Sequence, residues 1–261
     1  MLVVEREISR WDSSGSRPSS TSSGKGVWMN HPQKIARAFG VLYLLTFLTG
    51  IPAYFFYVPV LNDPRYILGG GGGDTSVAFG AFLELLLIIA NIGTAVVPYP
   101  IFRRQNEILA LGYVTARIVE CTFILVGILS FLTVVTLRQE ATAGADAGSL
   151  ITAGKSLVAL HEWTSQLGPG FVVGIGNGLI LGYLMYRSRL VPRPMAVLGL
   201  IGGPLIIVMG VGVLLGVFEA GSVWMGIALI PEFLWELSLG IWPIVRGFNP
   251  SAVARLEHES Q

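Results

Sequence analysis

The stretch Pro231-Glu-Phe-Leu-Trp-Glu-Leu-Ser-Leu-Gly-Ile-Trp-Pro-Ile-Val-Arg246 decides the fold. With the apolar residues that precede it from 223 onward, it has the length of a helix that crosses a bilayer. Yet Glu232 and Glu236 lie well inside it. A charge at bilayer depth is costly, so such residues face a protein interior or a water-filled cavity. The two glutamates are four residues apart and share one helix face. The stretch therefore reads as a membrane helix with its acids turned inward.

Composition agrees with that reading. Of 261 residues, 52% are hydrophobic and 13% charged, against about 25% charged in an average soluble domain. Mean hydropathy is +0.67. The 33 glycines suit helices that approach closely in lipid. A net charge of +1 carries no nucleic-acid footprint. Cys121 is the one cysteine, which excludes an intramolecular disulfide and a thiolate metal site.

Five further apolar runs precede the last one. The spans read as about 36–58, 77–102, 112–137, 167–186, 195–218 and 223–245. The expected fold is an all-α integral membrane bundle of six transmembrane helices. Residues 31–248 form the membrane domain, with a short C-terminal tail at 249–261. Residues 1–30 are polar and Ser-rich, and such composition does not order itself. They read either as a disordered tail or as an upstream extension, with Met29 as the true start. Gly50 and Pro52 predict a kink in the first span.

The loops orient the bundle. Lys34 and Arg37, Arg103 and Arg104, Arg187, Arg189 and Arg193, then Arg246 and Arg255 fall on one side. The other side holds Arg65, Arg138 and Lys155 among acids. The positive-inside rule puts both termini in the cytoplasm, with the chain in the inner (plasma) membrane. Gly69 to Gly73 reads as a flexible linker, since no Gly-Lys-Ser/Thr follows. Residues 150–166 read as an outer interfacial helix or as an extension of the fourth span.

Counting inward along each helix places several polar residues at one depth. Arg117 and Glu120 come out roughly 8 and 12 Å deep, and Asn91, Asn177 and Glu236 near about 13–15 Å. Glu232 lies about one turn further out. Arg117 supplies one positive charge against two carboxyls in that layer. One carboxyl is expected to pair with it, and the other to hold a proton or a cation. Glu232 and Glu236 are placed to share such a proton or cation. Glu84, His161 and Glu162 form a second expected cluster nearer the outer side, with any metal there undetermined. Tyr54, Phe55, Phe56, Tyr57, Trp163, Trp224 and Trp242 read as interfacial belt and packing residues.

No Gly-x-Ser-x-Gly, His-Glu-x-x-His, Walker loop or Cys-x-x-Cys occurs, and no cofactor is expected. The lipid bilayer is the expected partner, nucleic acid is not, and a homo-oligomer stays open.

Several segments resemble one family. They are Ala116-Arg-Ile-Val-Glu120, His161-Glu-Trp163, Leu167-Gly-Pro-Gly-Phe171, Gly182-Tyr-Leu-Met-Tyr-Arg-Ser-Arg-Leu-Val-Pro192 and the run from Glu232 to Gly247. In order, they resemble the bacterial membrane-protein family catalogued as domain of unknown function 4386. Pro243 departs from the larger apolar residue expected there. The resemblance covers about 34–248 and implies a bacterial multi-pass membrane protein. It supplies no activity, substrate or site residue.

Three functions fit these residues. The polar layer serves as interhelical glue in a structural or regulatory membrane protein, the best reading of the sequence alone. Alternatively the chain is a proton- or ion-coupled small-solute transporter. An intramembrane hydrolase is the third, resting on Glu84, His161 and Glu162.

Overall fold

Pro98 ends the second crossing helix earlier than the apolar run predicts. A computed structural model describes residues 24–69, 73–141 and 146–259. In it, α1 spans Gly24–Asn62 and α2 spans Asp74–Val96. The short α3, Tyr99–Gln105, then begins with Pro98 at its N-cap. Proline lacks an N–H and suits a helix start rather than an interior. The expected span 77–102 is therefore split. Asn106 is extended, and its side-chain oxygen accepts from the Leu109 N–H at 2.9 Å. It opens α4, Glu107–Ala141.

Asp146 caps α5, Ala147–Leu167, by accepting from the Ser149 N–H at 2.8 Å. That backbone donor holds the Asp146 carboxyl below its usual range. No loop follows α5. The chain runs through two π-helical stretches, Gly168–Val172 and Gly174–Leu181, into α6, Gly182–Ser188. Pro169 has no N–H to give, and the helix widens so that the Val173 N–H reaches the Gly168 carbonyl. Residues 150–166 are thus the extension of the fourth span, which runs continuously over Ala147–Ser188. Arg189 stops it in the left-handed region at φ 61°. The chain continues as α7, Arg193–Leu214, α8, Val223–Val245, and α9, Pro250–Glu259.

Six of these helical segments are long and apolar enough to cross a membrane: His31–Asn62, α2, α4, Ala147–Ser188, α7 and α8. Among the described residues no strand occurs. Large apolar side chains such as Val208, Leu214, Ile230 and Val245 stand exposed, as a lipid-facing surface requires. Of the expected N-terminal tail, residues 1–23 lie outside the described residues, and 24–30 open α1.

Within the short C-terminal tail, α9 buries Ala252, Val253 and Leu256 in one cluster with Phe39, Phe102 and Met185. The Asn249 N–H donates to the Leu190 carbonyl at 3.0 Å, and Arg255 donates to the Ser188 carbonyl at 2.6 Å. A polar composition hid this, because only three residues on one face are apolar.

Two glycines on α7 set the spacing of three spans. A Cβ on Gly203 would lie 2.6 Å from the Gly174 carbonyl oxygen, and one on Gly202 would lie 2.6 Å from the Glu232 nitrogen. Lipid offers no hydrophobic drive between helices, so close backbone packing of this kind holds a bundle together. The polar layer lies between two apolar clusters. Along α4, Tyr113 belongs to one, Arg117 and Glu120 follow, and Ile124 and Ile128 belong to the next.

Candidate functional site in the membrane

Residues 113, 117 and 120 fall on one face of α4 because their spacing is four and three. That face is turned inward: Arg117 is 2% exposed and Glu120 4%. The Arg117 guanidinium donates to Glu120 Oε2 at 2.7 Å and to the Tyr43 hydroxyl at 3.2 Å. Its Nε reaches the Tyr113 hydroxyl at 3.4 Å. Asn91 on α2 donates to the other Glu120 oxygen at 3.1 Å. Glu120 is therefore held on both oxygens by two helices.

A second chain of hydrogen bonds joins the remaining spans. Tyr43 on α1 donates its single hydroxyl proton to Asn177 Oδ1 at 2.8 Å. It then accepts from Tyr113 at 2.8 Å and from Arg117. The Asn177 amide nitrogen donates to Glu236 Oε1 on α8. That same oxygen lies 3.9 Å from the Arg117 guanidinium. Trp235 Nε1 donates to the Asn177 carbonyl at 3.1 Å and so anchors the widened helix to α8. Arg117, Glu120, Asn91, Asn177 and Glu236, expected in one layer, are thus connected across four spans, and Tyr43 adds a fifth.

Glu232 differs from the rest. It is 3% exposed, and neither carboxylate oxygen has a hydrogen-bond partner. It lines a cavity of about 300 Å³, together with Asn91, Arg117, Glu120 and Glu236. Apart from Thr46 the rest of the wall is apolar and includes Phe47, Ile51, Ile206, Leu229 and Phe233. Gly202 makes the room for Glu232: a Cβ there would meet Glu232 Oε2 at 2.7 Å. Gly50 and Ile51, beside Pro52, and Pro169 at the π-helical turn border the same space.

The sequence model of the domain of unknown function DUF4386 matches residues 38–247. The chain belongs to that family. No curated protein and no solved structure is detectably similar to it.

In this DUF4386 chain the outer cluster forms only in part. Tyr57 donates to Glu84 Oε2 at 2.8 Å. Its ring lies edge-on to His161, 5.6 Å between centroids. His161 stacks on Phe131 at 3.8 Å and places Nδ1 3.3 Å from the Gly127 carbonyl. Glu162 does not join them. It is exposed and lines a separate pocket with Asp63 and Lys155. A helix turns adjacent residues about 100° apart, which separates 161 from 162. Among the described residues, no three His, Cys, Asp or Glu side chains are grouped to hold a metal ion.

Sequence reasoning missed Tyr43, Tyr113, Thr94 and Trp235. Thr94 donates to the Asn91 carbonyl at 2.6 Å, and its hydroxyl oxygen lies 3.4 Å from that of Tyr113. The spacing Tyr113-x-x-x-Arg117 was a usable signal for one of them. Tyr57, one of the residues read as belt and packing, is 1% exposed and belongs to the core beside Glu84.

Proposed function

We propose that this DUF4386 chain is a membrane carrier whose mid-membrane cavity takes a small solute, with Glu232 as the group that exchanges solute or proton. One observation carries this reading. A buried polar group without a partner costs free energy, about 1–3 kcal/mol and more for a charge, and interhelical glue has no use for one. Glu232 is such a group, beside open volume. The π-helical turn at Pro169 borders the cavity, as broken helices border mid-membrane sites in carriers. The rest of the layer fits the structural reading. Arg117, Glu120, Asn91, Tyr43 and Asn177 satisfy one another and tie helices together. The network is the frame and Glu232 the working group.

The basic loops support an orientation with both termini in the cytoplasm, and the family resemblance supports a bacterial plasma membrane. The hydrolase reading finds little support, since His161 is stacked on Phe131 and Glu162 points elsewhere.

The test uses Glu232→Cys in a Cys121→Ser background, in sealed vesicles with a small thiol reagent. The carrier reading expects modification from either side. No modification of folded protein returns the layer to a purely structural role. Modification from one side only leaves a pocket without carriage.

A further inference from the structure

Each charged or amide side chain around the cavity except one has a protein partner. Glu120 is held by Arg117 and Asn91, and Glu236 accepts from Asn177 and faces Arg117. Glu232 has no protein donor on either oxygen. The cavity wall carries three carboxyls and one guanidinium. The guanidinium spends its short contacts on Glu120 and two tyrosine hydroxyls. The charge that Glu232 lacks is positive, and a ligand is its remaining source besides a proton.

The shape of the cavity narrows the ligand further. About 300 Å³ is at the low end for small-molecule pockets. Apart from the polar floor, the wall is aliphatic and aromatic. Phe47 and Phe233 meet edge to face at 5.3 Å between centroids and both line the cavity, and aromatic faces attract cations. Ile51, Leu229 and Phe233 line the cavity and are also among the exposed apolar residues. The mouth therefore borders the lipid-facing surface between the first and sixth spans. A hydrated metal ion gains nothing from such walls. An anion would meet the unpaired carboxyl.

We propose that the cavity binds an organic ammonium with an apolar body, its nitrogen on the Glu232 carboxylate and its body against Phe47, Phe233 and Leu229. This rests on the carrier reading and names its substrate class. The ammonium N–H groups supply the donors that Glu232 lacks, and the body replaces loose contents of an apolar wall. Gly202 leaves space for the carboxyl, because a Cβ there would crowd Oε2 at 2.7 Å.

The experiment is equilibrium dialysis on the purified full chain in detergent. Labelled methylammonium, butylammonium and phenethylammonium are compared with phenethyl alcohol and phenylacetate. The expected result is saturable binding of the ammonium series that tightens with apolar size. Phenethyl alcohol and phenylacetate should bind about tenfold more weakly or worse, as expected for losing a charged hydrogen bond. Glu232→Gln should lose the preference for charge by a similar factor while still binding the alcohol, which shows that the variant is folded. Equal binding of ammonium and alcohol by the unaltered protein overturns the proposal and leaves the carrier reading standing. No saturable binding of any ammonium by folded protein also overturns it. The carrier reading falls separately, on the thiol-accessibility test.

Discussion

Replacing Arg117 by Met should be the most damaging single change in the membrane domain. Arg117 is 2% exposed and donates to Glu120 at 2.7 Å, Tyr43 at 3.2 Å and Tyr113 at 3.4 Å. Met fills most of the volume but leaves Glu120 with Asn91 as its one donor, at 3.1 Å. Breaking a buried pair from one side costs about 3–5 kcal/mol, because an uncompensated charge stays behind. For a chain of this size that corresponds to a melting-temperature drop on the order of 10 °C. The assay is thermal unfolding of purified protein in detergent, with Arg117→Met compared against Arg117→Met/Glu120→Gln. The double variant removes the stranded charge yet still accepts from Asn91, so it should recover most of the loss. A drop under about 2 °C, roughly half a kcal/mol by the same scale, with no difference between single and double variants, would refute the reasoning.

Other outcomes follow from other contacts. Gly202→Ala places a methyl 2.6 Å from the Glu232 nitrogen and 2.7 Å from its Oε2. It should cost about 1–3 kcal/mol as overpacking and also narrow the cavity, both visible in unfolding and in ammonium binding. Tyr57→Phe removes the donor to Glu84 and should lower stability by about 1 kcal/mol, while Phe131→Leu should leave that hydrogen bond in place. Asp146→Ala removes the cap of α5 and should destabilise. The carboxyl is held below its ordinary range by the Ser149 N–H, so its contribution is present above the ordinary aspartate pKa. It is lost as pH falls through the lowered value, and the melting difference between variant and parent should close in acid.

The six spans were legible because apolar runs of bilayer length are a strong signal. Their ends were not, where proline chemistry decided them: Pro98 cut the second span short, and Pro169 widened the fourth instead of breaking it. The inner layer was legible from depth alone, since rise per residue is fixed in a helix. Arg117, Glu120, Asn91, Asn177 and Glu236 do meet. Depth does not give rotation about the helix axis, so Tyr43 and Trp235, ordinary aromatic residues in apolar runs, went unseen. Rotation also separated Glu162 from His161. The distinction between Glu232 and its neighbours was beyond the sequence, because having no partner is a property of the assembled bundle. α9 was missed because its apolar face is only three residues wide and packs on α3 and the Leu190 turn.

The most direct test of the central claim is the melting temperature of Glu232→Gln in the full chain, beside the parent protein and Arg117→Met. A carboxyl reserved for a ligand contributes nothing to the empty bundle. The variant should therefore melt at or above the parent, while ammonium selectivity is lost. If Glu232→Gln instead melts as low as Arg117→Met, Glu232 belongs to the frame that holds the helices together, and the account is contradicted.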